Sequence, residues 1–210
     1  IIFISLIGFF LRAANIDRHD FTNDESLYTF RAQTWFDFVQ STGQTTPVQW
    51  FKEHVWWQGL SFHDHPPLGF AYQFLMAPFF GDSVPGVRFP IVLVGTACIV
   101  VAFFLGKELY KSNEAGVLAS CVVALCPAAI LLSRLAIYDI FVVLFVLLSW
   151  LFFEKSKSNP RYHICWPAAF ALGAISKYTI IFMVPFFIIG IYAEKRFSSL
   201  NNKYFANSLI

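Results

Sequence analysis

Asp24 and Glu25 stand side by side in Thr22-Asn23-Asp24-Glu25, and a third acid, Asp64, lies between His63 and His65 further along. Carboxylates in such places can do two kinds of chemistry. A partly desolvated Asp24 can take a proton from an incoming hydroxyl as a general base. Asp64, flanked by histidines, can join Asp24 or Glu25 in binding a divalent cation. The same residues have structural uses. Acids in a first turn complement the helix dipole, and Thr22-x-x-Glu25 has the form of a capping box. Asp64 is suited to cap a helix opened by Pro66-Pro67. Spacing alone leaves both uses open.

Two cations, Arg88 and Lys177, lie inside or at the edge of apolar runs. Charges there are costly and point to function unless they snorkel to headgroups, as Arg88 can. Lys177 sits near the middle of its run, where it can neutralise an anionic lipid headgroup such as a phosphate. Arg134 and Asp139 bracket Leu135-Ala136-Ile137-Tyr138, where they can pair and close the turn.

The elements that must position these residues are helical and largely apolar. Hydrophobic residues make up 57% of the chain and charged residues 13%, with mean hydropathy +0.60, as in membrane proteins with several spans. The 26 phenylalanines suit lipid contact. A net charge of +2 without a basic tail argues against nucleic acid as a partner. The four cysteines fall in or beside apolar runs, with no CxxC spacing. No P-loop, GxGxxG, HExxH or GxSxG motif is present, so neither a nucleotide nor a serine nucleophile is expected. A membrane enzyme of this kind takes its substrate from the membrane.

The expected fold is an all-α integral membrane protein, a helical bundle of several spans with an extracytoplasmic loop of interfacial helices. Residues 1–11 read as the end of a first transmembrane helix, 12–85 as the loop carrying the catalytic acids, and 86–210 as transmembrane helices. Within the loop, helices are expected over 22–40, over the Trp-rich stretch 48–60, and from Pro66-Pro67 to Phe80. Spans are expected over 88–105, 115–132 and 140–153. Segment 164–192 is read as a hairpin of two half-depth helices with Lys177 at its tip. Lysines and arginines at 107–111, 155–161 and 195–196 mark the cytoplasmic side and place Asp24, Asp64 and Arg134 opposite. Because Ile1 opens within an apolar run, the chain is expected to be a piece of a longer protein, inactive by itself.

The ordered set of motifs resembles the membrane-embedded GT-C glycosyltransferases, and most of all two groups among them. These are the dolichyl-phosphate-mannose–protein mannosyltransferases and the lipid A aminoarabinose transferases. The motifs are Asp24-Glu25 with Tyr28, Asp64-His65-Pro66-Pro67-Leu68, Gly86-Val87-Arg88-Phe89-Pro90, Ser133 to Asp139, and Ser176-Lys177-Tyr178. Together they run through essentially the whole chain.

The resemblance implies sugar transfer from a polyprenyl-phosphate donor to a protein, lipid or polysaccharide acceptor on the extracytoplasmic face. It implies inversion with Asp24 as base, a metal-binding acid at Asp64 in some members, and the lipid phosphate at Lys177. Candidate substrate-binding residues are Asp64, His65, Arg88, Arg134, Asp139, Lys177 and Tyr178. Where the aminoarabinose transferases carry Glu-Lys-Pro, this chain has Asp64-His65-Pro66, which favours a broader bacterial or archaeal branch in the plasma membrane. Two other readings fit the composition. In a transporter or flippase, Lys177 and Arg88 would line a path, and in a non-catalytic subunit the acids would only cap helices.

Overall fold

A computed structural model describes residues 1–34 and 65–193, and every regular element in it is helical. The helices are α1 (Ile2–Ala13), α2 (Asn23–Thr34), α3 (Leu68–Phe80), α4 (Val84–Tyr110) and α5 (Asn113–Leu125). They continue with α6 (Pro127–Arg134), α7 (Asp139–Ser156), α8 (Tyr162–Ala174), a 3-10 segment (Tyr178–Met183) and α9 (Val184–Ala193). The expected helix over 48–60, the end of the one over 22–40, and Asp64 lie outside the described residues.

Helix α4 is the axis. Ser83 caps it by accepting from the Gly86 N–H at 3.3 Å, and Pro85 follows in the first turn, where its missing N–H costs nothing. Its 27 residues make about 40 Å of helix, longer than the 88–105 expected and enough for a hydrocarbon core of about 30 Å. Helix α5 returns along it, and the two backbones approach closely because Gly106 faces Ala115 and Gly116 faces Phe103. A side chain at either glycine would collide with backbone. Helix α7 packs on α4 through Ile91, Val94, Cys98, Ile140 and Phe141.

The expected single span over 115–132 is broken. Helices α5 and α6 meet at Cys126 with a bend of 57°. Pro127 supplies no N–H to the carbonyl of Val123, four residues earlier, so the ladder opens there. The freed carbonyls are met from another helix. Arg12 of α1, fully buried, donates to Val123 at 2.9 Å, Ala124 at 3.1 Å, Gly8 at 2.9 Å and Ser133 Oγ at 3.2 Å. A guanidinium can serve that many acceptors at once because its five donors are fixed in a plane.

The chain reverses at 175–177. The amide N–H groups of Ser176 and Lys177 both donate to the Gly173 carbonyl, at 3.1 and 3.0 Å. Beyond the reversal, Ile180 packs over Gly173 and Phe187 stacks on Trp166 with ring centres 5.6 Å apart, so the second limb runs back along α8. Leu68 N–H donates to the Ile175 carbonyl at 2.8 Å, joining the tip to the start of α3. Since α3 begins at that tip and leads into the start of α4, it lies across one end of the bundle.

The two ends differ in charge. Glu25, Arg88, Asp139 and Lys177 gather at one end. Lys107 and Lys111 lie at the end of α4, and Lys155, Lys157 and Arg161 run from the end of α7 to the start of α8, at the other. Phe3, Phe10, Phe79, Leu118, Ile164 and Phe182 are exposed on the flanks, an apolar surface suited to lipid. Among the described residues α4 is the one helix that by length and composition can cross a bilayer alone, and the bent pair α5–α6 is a second if counted as one span.

Candidate functional site

The capping box at Thr22 forms: Thr22 N–H donates to Glu25 Oε2 at 3.0 Å and Glu25 N–H to Thr22 Oγ1 at 3.4 Å. Glu25 then turns inward and is completely buried. Its Oε1 accepts from Arg88 Nε at 2.7 Å and from the Ala136 N–H at 2.8 Å, while Oε2 also accepts from Arg88 Nη2 at 2.9 Å. Burial pushes the carboxyl pKa up. The Arg88 hydrogen bonds and the Thr22 and Ala136 N–H groups outweigh it and hold the pKa below 4.5. Four donors fill both oxygens, so Glu25 is spent on structure.

Arg88 is spent likewise. Beyond Glu25 it donates to the carbonyls of Ile16 (2.7 Å), His19 (2.9 Å) and Asp20 (3.0 Å), fixing the loop before α2. Arg134 does not pair with Asp139 across the turn. It reaches the end of α1 instead, donating to the carbonyls of Leu11, Arg12, Ala14 and Asn15 at 2.7–3.2 Å. Those are the carbonyls a helix C-terminus leaves open, and a cation there also suits the dipole. Two arginines expected at substrate thus hold backbone, because carbonyls freed in an apolar protein need donors.

Asp24, next to Glu25, points the other way. It is exposed, and among the described residues its carboxylate has no partner. One turn along the same face is Tyr28, buried, whose ring stacks parallel on Tyr138 (5.0 Å, 8°) and meets the edge of His65 (5.3 Å). Phe70 closes the cluster edge-on to Tyr138 at 5.0 Å. The Tyr138 hydroxyl donates to Gln73 Oε1 at 2.7 Å, and Gly69 leaves the space in which the Tyr138 ring lies.

Asp139, the residue after Tyr138, opens α7 and accepts from Lys177 Nζ at 2.6 Å. This pair joins the hairpin tip to the bundle and is part-exposed, with the lysine side chain 26% and the aspartate 32% accessible. Tyr178, next along, is exposed. His65 faces Arg31, with Nδ1 3.3 Å from Arg31 Nη1. The structure therefore brings His65, Asp139 and Lys177 to the end of the bundle where α2 presents Asp24. It leaves Glu25 and Arg88 buried behind that surface, and Arg134 half-buried against the end of α1.

The expected metal acid, Asp64, lies outside the described residues. Among the described residues no group of three His, Cys, Asp or Glu side chains is placed to hold a metal, and Glu25 has both oxygens filled by N–H donors. The described residues do not make a metal site.

Sequence reasoning passed over Arg12, Gln73 and Arg31. Arg12 had a signal: a guanidinium closing an apolar run, in a chain with a proline inside a later run. Gln73 had one too, as an amide in the middle of an apolar helix.

The described residues fold into helices alone, with one helix apolar and long enough to cross a bilayer and polar side chains gathered at one end. The chain matches the family model for dolichyl-phosphate-mannose-protein mannosyltransferase over residues 64–209, and it belongs to that family. Membership points to a membrane-embedded, mannosyltransferase-like glycosyltransferase. No curated protein and no solved structure gives a match.

Proposed function

We propose that this end of the bundle transfers a sugar from a polyprenyl-phosphate donor to a hydroxyl of a protein, lipid or polysaccharide acceptor, with inversion. Asp24 is the general base. The acceptor oxygen attacks the anomeric carbon, its proton passes to the Asp24 carboxylate, and the bond from that carbon to the phosphate oxygen breaks. The electron pair leaves with the polyprenyl phosphate, and Lys177 offsets the charge that develops there.

The observation that carries this reading is the division between two adjacent acids. Glu25 is buried and fully bonded, whereas Asp24 is exposed and open, beside Tyr28 and on the end that holds Lys177. A base must have a free lone pair and access to substrate. The basic residues at the opposite end support an extracytoplasmic site.

The test is Asp24→Asn in membranes, given a labelled polyprenyl-phosphate sugar. Asp24 is exposed in the first turn, after the Thr22 cap, so a neutral residue of the same shape leaves the fold and donor binding in place, while turnover drops about 10²- to 10⁴-fold. Unchanged turnover would reduce Asp24 to a first-turn acid that complements the helix dipole.

A further inference from the structure

Lys177 has a partner already. Its ammonium lies 2.6 Å from Asp139 Oδ2, and that is the site where, on the function proposed above, the donor phosphate must bind. The backbone under Lys177 is fixed: two N–H bonds to the Gly173 carbonyl, the Leu68–Ile175 bond, and Ile180 seated over Gly173 pin the tip. The side chain is free to swing on four carbons, and at 26% exposure it is reachable. Part-exposed ion pairs are weak enough to exchange. Asp139 lies in the first turn of α7, where the helix dipole keeps its carboxylate content without the lysine.

The reaction raises the charge on the phosphate. A donor diester carries one negative charge, and the released monoester carries about −1.5 to −2. Lys177 therefore grips the product harder than the donor, which opposes turnover. We infer that Asp139 is an internal competitor of the phosphate for Lys177, giving up the ammonium when donor binds and retaking it as the polyprenyl phosphate leaves. Asp139 is a positioning residue in this cycle and acts through Lys177. The inference rests on the phosphate site at Lys177 and adds the step that clears it.

The experiment measures binding of farnesyl phosphate, with farnesol as the uncharged control, to the intact protein in nanodiscs at low salt. Asp139→Asn removes the competing charge at constant shape and should tighten farnesyl phosphate about two- to fivefold without changing farnesol. Asp139→Glu keeps the charge and should behave as wild type, which separates competition from damage to the fold. Lys177→Met should lose the preference for phosphate over alcohol. Weaker or unchanged binding in Asp139→Asn, with Lys177→Met still impaired, would overturn the competitor alone. Lys177→Met binding farnesyl phosphate as well as wild type would overturn the phosphate site and the competitor with it.

Discussion

Glu25 and Arg88, 63 positions apart, meet through hydrogen bonds of 2.7 and 2.9 Å where neither side chain is more than 4% exposed. The pair ties α2 to the start of α4, and the Ala136 N–H brings in the turn before α7. A buried pair of this kind is strongly coupled: removing one member strands the charge of the other.

Loss of either partner should therefore destabilise the protein. Glu25→Gln is expected to cost about 3–5 kcal/mol, read as a lower thermal midpoint in detergent. Arg88→Met should cost at least as much, since it also orphans the carbonyls of Ile16, His19 and Asp20. A double mutant less damaged than the sum of the two would confirm direct coupling.

The same pair gives a pH dependence. Glu25 has its folded pKa below the ordinary 4.5, so in acid the unfolded chain binds the proton more readily than the folded one. Its contribution is fully present above that ordinary value and is lost as pH falls through the lower folded value. Unfolding midpoints measured from neutral pH downward should drop on that limb. Glu25→Gln, already low, should drop less, and an identical slope in the variant would assign the acid limb to other groups.

Arg12 and Pro127 should be non-additive. Arg12→Met leaves the Val123 and Ala124 carbonyls without donors, at about 1–3 kcal/mol for each buried group. Restoring an N–H with Pro127→Ala returns a partner to Val123 within its own helix. The double variant should melt above Arg12→Met alone, and a lower midpoint would mean that the bend itself, not the orphaned carbonyl, matters.

Gly69→Ala places a methyl where the Tyr138 ring lies. Overfilling should cost about 1–3 kcal/mol. Because Asp139 follows Tyr138 directly, the shift should also lower turnover more than it raises the apparent donor KM. Steady-state kinetics at matched expression would show whether stability and turnover fall together.

What the sequence made legible was local. The capping box at Thr22, the breaks after Phe80 and around 175–177, and the helical, apolar character of the chain follow from residue type and spacing. The acids, too, stood out by position. The burial of Glu25 did not, because it depends on where Arg88 and Ala136 come to lie, 63 and 111 positions away. Arg134 was read against its near neighbour Asp139, while its partners are the carbonyls of 11–15 on another helix. The bend at Cys126 was written in Pro127, but an apolar run of span length hid it. Long-range pairing by arginine onto backbone carbonyls leaves little trace in spacing.

The partners of Glu25 also set an order of events during synthesis. When α2 emerges, its buried acid has neither Arg88, which arrives with the start of α4, nor the Ala136 amide, which arrives only after α6. Helix α2 gains its full set of Glu25 partners only once those later segments are in place. A defect in inserting α4–α6 would then leave Asp24 on an undocked segment, and the activity proposed for that end of the bundle would be lost before the protein was visibly unfolded.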